Sequence, residues 1–311
     1  MRAPPPTPSP THCSPTHYAN HPRHGACLSA EDIDAVAAAV MRDGDGGQGG
    51  TDPGAKLAAL HARLGTRLGD EERWLDAPAV ASTPGLRARL LAAFRPEHPA
   101  SWIKDPRAWL SNFDIDAVME QYQKAVGPTF RFVGVAPRDF ASPAPYAKAS
   151  CVTEAVCRTH VADLVRDGVK HVGIVFNLDK HTGRGSHWTA MYACVDPDHG
   201  RYFGAFYYDS LAPSRMPTEM RALAERLRAE TVATYGAERA RGFRIERNRV
   251  RKQFANTECG IYSIFFLLAC ARTKRPLEDI CKRLVKGDGH MNRLRSILFR
   301  PPAGVEHTHF F

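Results

Sequence analysis

The chain is predicted to fold as an α+β domain, with a small central sheet of mixed or antiparallel strands flanked by helices. Three observations predict it. Segments of helical period recur along the chain before residue 168. A cluster of strand-like segments with hairpin chemistry follows over 171–209, and a strongly apolar helical run begins near Cys259. Helices, then a few strands, then helices is the order of an α+β architecture.

The elements follow in chain order. Residues 1–28 have seven prolines in the first 22 positions and little to bury, and are expected to be disordered. His12, Cys13, His17, His21, His24 and Cys27 are all possible zinc ligands, but their spacing fits no zinc motif and Pro15 and Pro22 interrupt it. Ser29 to Asp32 has capping-box character, and Ile33, Val36, Ala37 and Val40 follow at helical spacing, so 29–42 is a helix. Residues 43–54 read as a Gly-rich linker. Helices are expected at 55–65 and at 84–94, the second with Thr83 as N-cap and Pro84 at its first position. Ser111 caps a helix with Ile115, Val118, Met119, Tyr122 and Val126 on one face. A further helix spans 153–167, stopped by Gly168. Strands are expected at 171–176, 187–195 and 201–209, the last two joined by a turn rich in Asp, Pro and Gly. A helix at 217–234, a strand at 243–251, the apolar helix from Cys259 and a helical stretch at 276–298 complete the chain. The domain reading is a tail at 1–28, a helical N-terminal accessory region at 29–95 and a catalytic domain at 96–311.

The composition is globular: 43% hydrophobic and 24% charged residues. The net charge of +9 is uneven. Residues 1–54 hold three Arg/Lys against six Asp/Glu, so the remainder carries +12. No apolar run reaches the ~18 residues a spanning helix needs. The N-terminus lacks the apolar core of a signal peptide. The chain is therefore expected to be neither secreted nor membrane-bound. Eight cysteines at irregular spacing do not look like a secreted disulfide framework and are mostly expected to be reduced.

Four polar residues stand where predicted elements begin or end. His187 opens one strand and Asp209 closes the next, so an antiparallel pairing brings them together. Gln253 follows the last strand, and Cys259 opens the apolar helix six residues later. These are the types that thiol hydrolysis needs: a thiolate nucleophile, a proton-transferring His, an orienting carboxylate and a neutral oxyanion donor. A helix N-terminus favours the thiolate. Gly260 permits close backbone approach beside it.

His187-Trp188, Tyr208-Asp209-Ser210, Gln253 and Glu258-Cys259-Gly260 resemble the His–Asp–Gln–Cys signature of the superfamily that holds the SUMO-deconjugating proteases and the adenovirus protease. Upstream, Trp109-Leu110-Ser111-Asn112 resembles the segment that opens that catalytic domain. WLSNFDIDAVMEQY, FRFVGVAPRDF and NTECGIYSIFF are similar to maturation proteases of large cytoplasmic DNA viruses, which cleave capsid or core polyproteins. The resemblance is good over 95–270, weak over 29–94 and absent over 1–28.

The resemblance implies an adenain-like cysteine protease fold. It implies Cys259 as nucleophile, His187 as general base, Asp209 as its orienter and Gln253 as oxyanion donor together with the Cys259 N–H. It implies a narrow slot made by Trp109 and Trp188 that admits only glycine, hence Gly-Gly or Gly-x-Gly substrates, no metal and a virion or host-cytoplasmic setting. A monomer is expected. Gly46-Gly47 and Gly49-Gly50 are then candidate self-processing sites. Competing readings are a deconjugase for a ubiquitin-like protein, an acyltransferase on the same scaffold, and a nucleic-acid-binding virion protein. The last rests on Glu238–Lys252, where Arg239, Arg241, Arg244, Arg247, Arg249, Arg251 and Lys252 face two Glu. DNA as an activating cofactor is compatible with the protease reading.

Overall fold

The computed structural model describes residues 13–16, 26–41, 52–144, 150–199, 202–273 and 275–301. They form two compact units, one of residues 1–100 with 296–311, the other of residues 101–295.

The first unit is helical. Helix α1 (Ala30–Val40) starts on a reciprocal cap, in which the Ser29 Oγ accepts the Asp32 N–H and the Asp32 carboxylate accepts the Ser29 N–H. Helices α2 (Pro53–Leu64), α3 (Pro78–Ser82) and α4 (Leu86–Leu91) follow, with a 3-10 turn at Glu71–Asp76. Ile33, Val36, Leu60, Trp74, Leu90 and Phe94 form its core.

Part of the tail expected to be disordered belongs to this core. Cys13 pairs with Phe94 in a β-bridge, the Ser14 N–H donates to the Ala93 carbonyl, and Ala26, Cys27 and Leu28 are buried. Cys13 is bonded to Cys27, and Cys151 to Cys157, so the expectation of mostly reduced cysteines is corrected. Cys194, Cys259, Cys270 and Cys281 form no disulfide. Gly46-Gly47, Gly49-Gly50 and the tail histidines lie outside the described residues. The helix expected at 84–94 is shorter. Thr83 spends its hydroxyl on the Ala79 carbonyl, and Gly85 turns the chain through the left-handed region before α4.

In the second unit, α5 (Asn112–Val126) is capped by Ser111 as predicted. It leads into β1 (Phe130–Pro137), a strand the sequence reading missed. The expected 153–167 helix is two, α6 (Glu154–Cys157) and α7 (Val161–Arg166). The break is imposed from elsewhere in the fold. Arg226 donates to the Val156 and Cys157 carbonyls, and Glu230 accepts the Val161 N–H, so each short helix is capped at the junction.

Strands β2 (His171–Asn177), β3 (Trp188–Cys194) and β4 (Gly204–Tyr208) are followed by α8 (Thr218–Tyr235), the short α9 (Ala237–Ala240) and β5 (Arg244–Arg247). The sheet order is β1-β2-β3-β4-β5, with parallel outer pairs and antiparallel β2–β3 and β3–β4. Helix α10 (Cys259–Arg272) is apolar almost all round and is buried, as such a helix must be. Alternate residues of the strands serve opposite faces. Val172, Ile174, Met191, Ala205 and Tyr207 pack with Met220, Leu223 and Leu227 of α8. On the other face, Tyr208 stacks on Phe266 of α10 with ring centroids 4.5 Å apart, and Gly173 leaves room for Leu267. Both faces are covered, which is why β2, β3 and β4 are near-continuous apolar runs.

The helical stretch expected over 276–298 is α11 (Leu277–Asp279), a π turn at Ile280–Leu284 and α12 (Asp288–Leu298). No helix among the described residues is long and apolar enough to cross a membrane.

Candidate active site

The antiparallel register of β3 with β4 pairs Ala190 with Tyr208. The residues flanking these strands at the same end, His187 and Asp209, therefore meet. His187 Nε2 lies 2.7 Å from Asp209 Oδ1. That contact leaves Nδ1 as the ring nitrogen available to Cys259, with which His187 also interacts. Burial alone would lower the His187 pKa. Hydrogen bonding and charge from Asp209 and Cys259 outweigh it and raise it to about 9.

Cys259 is the first residue of α10 and is buried. Gly260 lets Leu110 and Trp188 pack close to the first turn of that helix. A Cβ at 260 would lie 3.2 Å from Leu110 Cδ1 and 3.3 Å from Trp188 Cδ1. Trp188 is buried against this first turn, and its indole N–H donates to the Leu110 carbonyl at 2.9 Å. Trp109, one residue before Leu110, is 41% exposed. Of the two tryptophans, Trp188 is thus fixed by packing and its hydrogen bond, and Trp109 stands open to solvent.

Gln253 is buried, and its side-chain oxygen accepts the Ser210 hydroxyl at 2.5 Å. This fixes the amide so that its NH₂ is the end left to donate. Its backbone N–H donates to the Ser210 carbonyl at 3.1 Å, which ties the 253 loop to the residue after Asp209.

Two positioning features escaped the sequence reading. Asn248 is buried, accepts the Asp209 N–H through Oδ1 at 2.9 Å and donates from Nδ2 to the Asp209 carbonyl at 2.7 Å. The loop into His187 is closed by Asn177 and Asp179, whose side chains accept the Ser186 N–H, the Gly185 N–H and the Ser186 hydroxyl. A cavity of about 490 Å³ borders Asn248, lined also by Phe206, Met216, Ile245, Arg247 and Cys281, but by none of the four predicted catalytic residues. Among the described residues no cluster of three metal-ligating side chains occurs.

The basic run is largely engaged within the chain. Arg239 pairs with Asp198, and Arg244 with Glu246 and the Tyr202 ring. Arg247, Arg251 and Lys252 donate to the carbonyls of Asn248, Gln253 and Lys282.

Residues 155–299 match the family described as the Ulp1 protease family, C-terminal catalytic domain. That stretch contains His187, Asp209, Gln253 and Cys259, and Trp109 falls outside it. A thiol protease of Acanthamoeba polyphaga mimivirus is 26% identical over 214 residues, 68% of this chain and 62% of the relative. The match therefore spans less than two thirds of that relative's length. A crystal structure of the ASFV protease superposes with a TM-score of 0.60 at 18% identity, covering 95% of this chain and 97% of that one. A selenomethionine crystal structure of the same protease gives 0.61 at 19% identity, covering 94% and 97%. At these identities the likeness establishes the α+β fold expected from the sequence. Over residues 155–299 the chain is thus similar to the catalytic domain of the Ulp1 cysteine proteases, and its fold is similar to that of the ASFV protease.

Proposed function

We propose that Cys259, His187, Asp209 and Gln253 are the hydrolytic machinery of a cysteine endopeptidase that cleaves at Gly-Gly or Gly-x-Gly sites. The observation that carries this reading is the 2.7 Å contact of His187 Nε2 with Asp209, made by a histidine that also interacts with Cys259. The Cys259 thiolate attacks the scissile carbonyl and its sulfur–carbon bond forms. The carbonyl electrons move to oxygen, where the Gln253 amide and the Cys259 N–H stabilise them. His187 gives its proton to the leaving amine as the peptide bond breaks, then takes one from the water that hydrolyses the thioester. Asp209 holds the imidazole in the orientation that serves both steps.

Trp109 and Trp188 bound a slot for the substrate backbone, and a slot closed by two indoles favours glycine beside the scissile bond. Viral capsid or core polyproteins, processed during virion maturation in the virion or host cytoplasm, are the substrates this reading expects. The relatives from ASFV and mimivirus support it. Deconjugation of a ubiquitin-like protein is the second reading, supported by the description of the matched family.

A diverse peptide library with cut sites read by mass spectrometry tests the proposal, alongside a ubiquitin-like-protein vinyl sulfone probe. Cuts after Gly in internal Gly-Gly peptides favour polyprotein processing. Probe labelling without peptide cleavage favours deconjugation. Cuts with no glycine preference contradict the slot.

A further inference from the structure

Helix α12 carries Asp288, Asn292 and Arg295 at spacings of four and three, which places them on one face. All three reach the chain just ahead of the nucleophile. Asp288 Oδ2 accepts the N–H groups of Phe254 and Ala255, each at 2.9 Å. The Tyr262 hydroxyl lies between Asp288 Oδ1, at 3.0 Å, and the Lys252 carbonyl, at 2.7 Å. Asn292 Nδ2 donates to Glu258 Oε1 at 3.0 Å. Glu258 is fully buried, and its carboxylate also accepts the Thr257 N–H and hydroxyl.

Arg295 is fully buried as well. Its Nε donates to Asn292 Oδ1 at 3.1 Å, and its guanidinium stacks over Trp102 at 4.6 Å. Its two terminal nitrogens fork. Nη1 donates to the Ala108 carbonyl at 2.9 Å, while Nη2 donates to the Thr257 carbonyl at 2.8 Å and the Arg107 carbonyl at 3.3 Å. One prong thus holds the residue before Trp109, and the other a residue two positions before Cys259.

Burying a guanidinium is costly, and replacing a buried charge by well-packed apolar side chains is often neutral or stabilising. What an apolar side chain cannot do is join two segments that offer each other only carbonyl oxygens. A planar guanidinium with five donors does so at fixed spacing.

We propose that this face of α12, through Arg295, is a positioning element that sets the separation between the Trp109 side of the substrate slot and the Cys259 nucleophile. The inference rests on the roles proposed above for Trp109 and Cys259. Arg295 touches no reacting atom. It acts by holding two segments that do.

The test compares peptide turnover with the intrinsic reactivity of the thiol. Arg295→Lys keeps the buried charge but cannot span both carbonyls. With misplacement of about 1 Å costing up to ~100-fold, kcat/KM on a Gly-Gly peptide should fall roughly 10- to 100-fold. Alkylation of Cys259 by iodoacetamide, and its pH dependence, should stay at the wild-type level, because the Cys259–His187–Asp209 set is untouched. Asn292→Ala retains Arg295 and serves if the lysine variant fails to fold. It should show a smaller loss with the same unchanged alkylation. Unchanged kcat/KM in a folded variant would overturn the proposal, and so would turnover and alkylation falling in step, which marks general disruption. A wild-type enzyme that cleaves without needing Cys259 would instead remove the underlying reading.

Discussion

Asn248 grips Asp209 by its backbone on both sides, accepting its N–H at 2.9 Å and donating to its carbonyl at 2.7 Å. The carboxylate that meets His187 is therefore held by a side chain 39 residues away in sequence. Asn248→Ala leaves a buried N–H and carbonyl without these partners, at a cost of about 1–3 kcal/mol. Denaturant unfolding should show that loss. The kcat/KM should fall about tenfold as Asp209 loosens, in line with ~1.4 kcal/mol per decade. A variant with wild-type stability and activity would show that the clamp is idle.

The pH dependence follows from His187. Its pKa is raised to about 9 from 6.5, against the lowering effect of burial, by Asp209 and Cys259. A raised cationic pKa means that the charged pair is intact below the ordinary value and is lost as pH rises through the shifted one. The alkaline limb of kcat/KM should therefore lie near pH 9, where His187 no longer has a proton for the leaving amine. Asp209→Asn removes the strongest raising partner and should move that limb to lower pH. A limb that stays in place would separate Asp209 from the titration.

Gly260 faces Leu110 and Trp188 at 3.2–3.3 Å from the position of a Cβ. Gly260→Val should push the Trp188 indole off the Leu110 carbonyl at a cost of about 1–3 kcal/mol from overpacking. Trp188 is buried, so its displacement should be visible as altered tryptophan fluorescence, together with a large loss of peptide cleavage. Unchanged fluorescence and activity would mean that the first turn of α10 has room to spare.

The Cys259 and Cys281 thiols should differ sharply in reactivity. Burial pushes the Cys281 thiol up to about 12, with Lys252 opposing it only partly. Peptide mapping after brief iodoacetamide treatment near neutral pH should find Cys259 modified and Cys281 intact, since the thiolate is the reactive form. Equal labelling of the two would contradict the environment described for each.

His187, Asp209, Gln253 and Cys259 were readable because each marks the end of a periodic pattern, and element boundaries are where polar side chains are displayed. Strand β1 was missed because its register with β2 shifts between Phe132 and Gly134, which breaks the period-two alternation. Asn248 was hidden inside a basic run. The 153–167 break was set by Arg226 and Glu230, about 70 residues downstream. Nothing local marks the stripe Asp288, Asn292 and Arg295, whose partners lie up to 189 residues away. Position in a pattern is local information, and the identity of a hydrogen-bond partner is not.

The most direct test of the catalytic assignment compares cleavage of one Gly-Gly-containing peptide by wild-type, Cys259→Ala, His187→Ala and Asp209→Asn proteins of equal thermal stability, followed by mass spectrometry. The geometry predicts a cut after glycine by the wild type, none by the Cys259 and His187 variants, and a slower cut by Asp209→Asn. Cleavage at the wild-type rate by Cys259→Ala would contradict it.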